Sequence, residues 1–208
     1  MSDLSAFLEQ LSSSQPVPGG GSVAALETAA AAALLAMVAN LTIGKKKYVD
    51  VQERVEELRD RSIELRDRAE RLVDDDAQAY GRVHEAMKLP KGSDAEIDTR
   101  RQGIQEALKG AALPPLATMR VACQVLDLAL PLAEMGNRSA ISDVGSAALS
   151  AQAGFYAARL NVQINLESVR DENWAADTRE RMEALGSPDS TVKTVLQRVE
   201  AVILGEAS

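Results

Sequence analysis

The chain has 208 residues, 46% apolar but only 3% aromatic, with a formal net charge of −8. That length buries a real core within one large domain or two small ones, and a core built from Ala, Leu and Val favours closely packed helices over a sheet. The acidic balance with scattered Lys and Arg argues against nucleic acid, and a single cysteine (Cys123) and a single histidine (His84) exclude an internal disulfide and argue against a metal cluster or a histidine-based triad.

A short helix is predicted near Leu4–Leu11, and Met1-Ser2-Asp3 offers no basic start for a secretory signal, so a cytoplasmic protein is expected. Pro16-Val17-Pro18-Gly19-Gly20-Gly21-Ser22 comes next. Three glycines let backbone N–H groups approach a ligand. A helix starting at Ser22 would aim its free N–H groups and positive dipole end at the same spot, which suits an anion or a carbonyl oxygen. A tight turn feeding an N-cap serine reads equally well. No Gly-Lys-Ser/Thr follows and no strand precedes, so this is neither a P-loop nor a dinucleotide fingerprint. The alanine-rich run to Leu41 carries Glu27 as its one charge. It is long enough to cross a membrane, but its alanine content and Glu27 favour a helix buried on all sides. Lys45-Lys46-Lys47 then either answers the negative end of that helix or meets an anionic ligand tail.

A very long helix is expected from Val49 to Lys88, with a seam of Val51, Val55, Leu58, Leu65, Ala69, Leu72, Ala79, Val83 and Ala86. Leu89-Pro90-Lys91-Gly92 ends it, and Ser93 with Glu96 forms a capping box for the next helix. Pro114-Pro115 should stop that helix near Ala112; another should run from Leu116 to Met135, kinked by Pro131 and ended by Gly136. Helices over Ser142–Val169, Asp171–Leu185 and Ser190–Leu204 follow, the first with Ser142 or Asp143 as N-cap. The reading is one all-α domain over 1–208, a bundle of long antiparallel helices.

Two seams break where they should be apolar. The Val51 seam lands on Ser62 and Asp76, and a carboxylate in a helix–helix seam is costly unless paired or functional. Asp74-Asp75-Asp76 would raise one another's pKa on close approach; alternatively the run is a solvated face. The second seam, Ala147, Ala151, Gly154 and Ala158, lands on Asn161 and Asn165, either interhelical glue or readers of a heterocycle. Its small residues suit close contact with another copy, so a homodimer is expected through this face.

Taken together, Pro18-Gly-Gly-Gly-Ser-Val-Ala-Ala, Ala39-Asn-Leu-Thr-Ile-Gly-Lys-Lys-Lys-Tyr48, Asp74-x-Asp76-Ala77, Leu89-Pro-Lys91, Asn137-x-x-Ala140-x-Ser-Asp143 and Leu160-Asn-Val-Gln-Ile-Asn-Leu166 resemble the cyclodeaminase/cyclohydrolase family of one-carbon folate enzymes. The resemblance covers nearly the whole chain. It implies an all-helical homodimer with a folate site at or near the subunit interface, acting without a metal or redox cofactor. It further implies Asp76 as first choice and Asp143 as second for the proton-transferring carboxylate. Gly19, Gly20, Gly21 and Ser22 would receive a polar edge of the folate, Asn161 and Asn165 would bind the pterin, and Asn137 belongs to the same substrate-binding set. Lys45, Lys46 and Lys47 would meet the glutamate tail. The expected reaction is hydrolysis of 5,10-methenyltetrahydrofolate to 10-formyltetrahydrofolate, with formiminotetrahydrofolate cyclodeamination as the alternative. No formiminotransferase segment is read in the chain, which tilts the expectation to the cyclohydrolase. A non-catalytic helical oligomerisation module is the reading of a different class; the polar breaks in the seams argue against it.

Overall fold

Apolar residues recurring every three or four positions build seven α-helices among the residues that the computed structural model describes, 4–206, and no strand occurs there. They are α1 (Leu4–Leu11), α2 (Gly20–Thr42), α3 (Gln52–Lys88), α4 (Asp94–Met135), α5 (Ile141–Glu167), α6 (Glu172–Glu183) and α7 (Asp189–Ile203), with 3-10 turns at Lys46–Val51 and Arg138–Ala140. The Met1-Ser2-Asp3 reading lies outside the described residues.

Alanine-rich α2 is the centre of the bundle and packs on α3, α5 and α4. Ala24, Ala25, Ala31, Ala32, Leu35, Val38 and Ala39 have no exposed surface, so small side chains let three helices crowd one axis. Burial on all sides is not what the fold does, however. Val23, Leu26 and Ala33 are half-buried and Ala30, Met37 and Leu41 are exposed, one open apolar stripe along α2. Both α2 and α4 are long and apolar enough to cross a membrane by length and composition, and in each more than half of the apolar window is buried inside the bundle.

α3 and α5 run antiparallel to α2. Ser22 at the start of α2 meets Asp76 late in α3, and Gln52 at the start of α3 donates to Thr42 O at the end of α2. With 23 residues, α2 separates the two ends of the bundle by about 34 Å.

The Val51 seam is buried at Val55, Leu58, Leu65, Ala69, Leu72, Ala79, Val83 and Ala86. Ser62, one of its two breaks, is buried and donates its hydroxyl to Leu58 O at 2.7 Å, so it is core with its polar atom satisfied by its own helix. The small seam of α5 is used inside the protomer, which corrects the expected dimer interface. Ala147, Ala151 and Ala158 are fully buried. A Cβ on Gly154 would stand 2.5 Å from Thr28 Oγ1 and 2.8 Å from Ala24 O, so the glycine is what brings α5 against α2.

Two further corrections concern helix ends. Pro114-Pro115 does not stop a helix, because α4 runs from Asp94 to Met135 through Pro114, Pro115 and Pro131. Proline at 115 cannot donate to the carbonyl four residues back, Ala111 O; Asn165 Nδ2 of α5 donates to it instead, at 3.0 Å. The start of α5 is not capped by Ser142 or Asp143, since Ala140 is the N-cap and both polar residues lie within the first turn. The Ser93–Glu96 capping box forms as expected, and Asp171 caps α6, accepting from Trp174 N at 3.1 Å.

Candidate active site

The helix α2 starts two residues earlier than expected, with Gly19 as N-cap and no side-chain cap. Ser22 therefore lies inside the first turn, and the N–H groups of Gly20 and Gly21 have no intrahelical acceptor. Both glycines line a cleft at this end of the bundle.

Asp76 reaches across from α3 to the same turn. Its Oδ2 accepts from the Ser22 hydroxyl at 3.0 Å, and the same hydroxyl lies 3.1 Å from Val73 O. A Cβ on Gly21 would overlap the Asp76 carboxylate, so the glycine is the space the carboxylate occupies. Burial pushes the Asp76 carboxyl above its ordinary pKa, against the hydrogen bonds from the Ser22 hydroxyl and backbone N–H, which favour the charged form. The cause differs from the one the acidic run suggested: Asp74 and Asp75 are exposed, and burial rather than neighbouring carboxylates raises Asp76.

Opposite Asp76, Asn161 and Asn165 stand one turn apart on α5. Asn161 Nδ2 donates to Ala157 O at 2.8 Å; Asn165 Nδ2 donates to Asn161 O at 2.9 Å and to Ala111 O at 3.0 Å. Both Nδ2 hydrogens of Asn165 are thus occupied by carbonyls, which fixes the amide and turns Oδ1 away from them as an acceptor. The interhelical reading holds for Asn165, which ties α5 to α4 through Ala111 O, whereas Asn161 bonds back to its own helix at Ala157 O.

Gly19, Gly20, Gly21, Asp76, Asn161 and Asn165 therefore line one cleft of about 160 Å³ with Pro16, Val17, Tyr80, Ala111 and Ile164. Two glycine N–H groups without intrahelical acceptors, one carboxylate and two side-chain amides gather there, the set needed to hold a polar heterocycle and move a proton beside it. Ser22 differs from the expectation: it has no exposed surface, and its hydroxyl serves Asp76 and Val73 rather than a ligand. Tyr80 and Ile164 were not read from the sequence. Tyr80 follows Asp76 by four residues, so the helical face that identified the aspartate also carries the tyrosine.

The remaining expected site residues gather at the other end of α2. Lys45, Lys46 and Lys47 are exposed around the 3-10 turn, with Lys47 Nζ 5.6 Å from the centre of the Tyr48 ring. The last carbonyls of α2 are served by side-chain amides, Asn137 Nδ2 donating to Leu41 O at 3.0 Å and Gln52 Nε2 to Thr42 O at 3.5 Å. Asn137 is 6% exposed, and its Oδ1 accepts from Ser139 N at 3.1 Å. It clasps the α4–α5 turn to α2 rather than reading a substrate. Asp143 is half-buried in the first turn of α5, about 27 Å along that helix from Asn161. Within one protomer it does not join Asp76. Lys47 and Tyr48 line a separate pocket of about 260 Å³ with Glu134, Arg138 and Arg198.

Among the described residues, no group of three His, Cys, Asp or Glu side chains is arranged to hold a metal ion. An all-helical bundle with a carboxylate seated on a glycine turn defines the class. Residues 3–184 match the model of the formiminotransferase-cyclodeaminase family, and the chain belongs to that family. It is 45% identical to a methenyltetrahydrofolate cyclohydrolase from Methylorubrum extorquens over 179 residues, 86% of each chain. It is 36% identical to the formimidoyltransferase-cyclodeaminase of Dictyostelium discoideum over 192 residues, 92% of this chain and 35% of that one. A crystal structure of a formiminotetrahydrofolate cyclodeaminase from Thermotoga maritima superposes with a TM-score of 0.80 at 32% identity, covering 98% of this chain and 96% of the other.

Proposed function

We propose that this protein is a methenyltetrahydrofolate cyclohydrolase, converting 5,10-methenyltetrahydrofolate and water to 10-formyltetrahydrofolate, with Asp76 as the proton-transferring group. The observation that carries this reading is the half-buried Asp76 carboxylate seated on Gly21 and sharing one cleft with the Asn161–Asn165 pair. The 45% identity to a cyclohydrolase over 86% of both chains supports the choice of reaction.

The substrate is a cation whose positive charge is shared by N5, N10 and the methenyl carbon. A carboxylate beside it stabilises that charge and takes a proton from the attacking water. The tetrahedral adduct then collapses with cleavage of the carbon–N5 bond. N5 leaves with the proton returned by Asp76, and the second water proton goes to solvent. The raised pKa of Asp76 brings the carboxyl nearer to neutral pH, where it both accepts and returns a proton. Amide oxygens of Asn161 and Asn165 suit the N–H edge of a pterin ring, and the glycine N–H groups suit its carbonyl. The chemistry uses no metal or redox group, and we assign the enzyme to the cytoplasm.

A cleft of about 160 Å³ is smaller than the roughly 300–1,000 Å³ typical of sites that enclose a whole cofactor-sized ligand. The open stripe of α2 (Val23, Leu26, Ala30, Ala33, Met37, Leu41) supports a two-fold dimer that completes it. An antiparallel α2–α2 contact would set the Lys45–Lys47 turn of one copy beside the Gly19–Gly21 turn of the other. The lysines would then meet the carboxylates of the folate tail across the interface.

The cyclodeaminase reaction is the second reading, favoured by the 0.80 TM-score to a formiminotetrahydrofolate cyclodeaminase. There N10 attacks the formimino carbon and ammonia leaves, and the same aspartate would protonate the departing nitrogen. A paired assay of the purified protein decides between them: turnover of methenyltetrahydrofolate without ammonia release from 5-formiminotetrahydrofolate is expected. Ammonia release at the greater kcat/KM would assign the cyclodeaminase, and turnover of neither would overturn both.

A further inference from the structure

Ser22 offers one hydroxyl proton to two acceptors, Asp76 Oδ2 at 3.0 Å and Val73 O at 3.1 Å. A hydroxyl donates once and accepts twice, so it cannot serve both acceptors at full strength. Ser22 is fully buried, so water does not supply a second donor there. We propose that Ser22 is a positioning residue whose hydroxyl changes partner with the protonation state of Asp76, keeping the carboxyl hydrogen-bonded both before and after it takes a proton. This inference rests on Asp76 being the proton-transferring group.

With Asp76 ionised, the Ser22 O–H donates to Oδ2. When Oδ2 carries a proton, its O–H donates to Ser22 Oγ, and the serine proton turns to the Val73 carbonyl. No heavy atom moves, and each buried polar atom keeps a partner in both states. An alanine here would leave the charged form with one donor fewer and the protonated form with no acceptor on this side; the first loss is the larger, because a hydrogen bond to an ionised acceptor is about twice as strong as a neutral one, so the carboxyl should titrate higher. Gly21 supports the same arrangement, since the carboxylate fills the space of its missing Cβ and stays in line with the serine.

The groups facing Asp76 leave Ser22 this task. α2 presents glycines and Ser22, α4 presents Ala111, and α5 presents Asn161, Ile164 and Asn165. Tyr80 is the other titratable side chain lining the cleft, while Asp74 and Asp75 face solvent. Among the described residues, no charged side chain contributes to the shift at Asp76.

The test compares Ser22→Ala and Ser22→Thr with the unmodified protein by two readouts. The carbon-13 carboxyl resonance of Asp76, assigned by its loss in Asp76→Asn, is titrated without substrate; the kcat/KM pH profile is measured with methenyltetrahydrofolate. Ser22→Ala should move the Asp76 titration and the acidic limb of the profile to higher pH together. It should also lower kcat about tenfold at a KM within a few-fold of the original. Ser22→Thr keeps a hydroxyl and should restore both. A titration unmoved in Ser22→Ala, or a moved titration with unchanged kcat, overturns the proposal. If Ser22→Ala fails to fold, Ser22→Cys carries the same comparison, its weak donor giving a shift in the same direction. The assignment of Asp76 fails separately, by full activity of Asp76→Asn, and the carboxyl titration is readable whichever reaction the enzyme performs.

Discussion

Asn165 Nδ2 donates to the carbonyl of Ala111 at 3.0 Å, across 54 residues of sequence, and that carbonyl is the one Pro115 cannot serve. One amide therefore keeps α4 continuous through a proline pair and locks α5 to α4 at the wall of the cleft. Asn165→Ala should destabilise the fold by about 1–3 kcal/mol in urea unfolding, the cost of a buried acceptor left without a partner. In a Pro115→Ala background the new N–H serves Ala111 O, and the same substitution should cost less by about 1 kcal/mol or more. Equal costs in both backgrounds would show that Asn165 does not compensate for the proline.

Gly21→Ala should disable the site, because the added methyl overlaps the Asp76 carboxylate. A loss of roughly 10²-fold in kcat is expected from displacing the carboxylate that we propose transfers the proton. Gly81→Ala is the contrast: it lies within α3, and a Cβ added there would meet nothing within 4 Å. It should raise stability by about 0.5–1 kcal/mol, the usual gain over glycine in a helix interior. Steady-state kinetics and thermal melts of the pair separate the two effects.

Burial raises the Asp76 pKa in the folded protein. Between the ordinary carboxyl pKa and that raised value, the folded state holds more protons than the unfolded chain, so stability falls as pH rises through this window. Asp76→Asn should therefore raise the melting temperature at neutral pH. The advantage should shrink on acidification and vanish once the carboxyl is protonated in both states. A melting temperature lower than the unmodified protein at neutral pH would contradict a net cost of the buried charge.

The two-fold dimer along α2 that we propose predicts complementation. Lys45→Gln, Lys46→Gln and Lys47→Gln together should raise KM with little change in kcat, and the effect should shrink as salt screens the lysines. Mixed under conditions that exchange subunits, this triple variant and Asp76→Asn should regain activity at low substrate, since a hybrid dimer holds one intact site. Met37→Glu, which places a charge on the open stripe, should give a monomer by light scattering and remove the complementation. Undiminished dimer in Met37→Glu would move the interface off this face.

Asp76 is legible in the sequence because a heptad seam counted from Val51 demands an apolar residue at that position, and the violation is visible without a structure. The same count flags Ser62, and here a short hydroxyl satisfies itself on its own helix, an outcome the pattern does not distinguish. The Ala147–Ala158 seam correctly indicates close packing but not the partner, because α2 offers an equally small surface within the same chain. Pro114-Pro115 misleads because a proline ends a helix only if the freed carbonyl finds no donor, and Asn165 supplies one from a distant segment. Asn137, Asp143 and the three lysines sit in motifs as conspicuous as the glycine turn. Sequence order does not say that an antiparallel fold puts them at the far end of α2. Tyr80 is within reach of the pattern, four residues from Asp76 on the same face, but an aromatic on a helix reads first as core.

Single-turnover conversion of methenyltetrahydrofolate by Asp76→Asn, with binding of the substrate measured in parallel, tests the central claim most directly. The account predicts binding within a few-fold of the unmodified protein and a chemical step slower by roughly 10²–10⁴-fold, because a neutral amide keeps the volume of the carboxylate but cannot exchange a proton. A chemical step within a few-fold of the unmodified rate would contradict it and remove Asp76 from the mechanism.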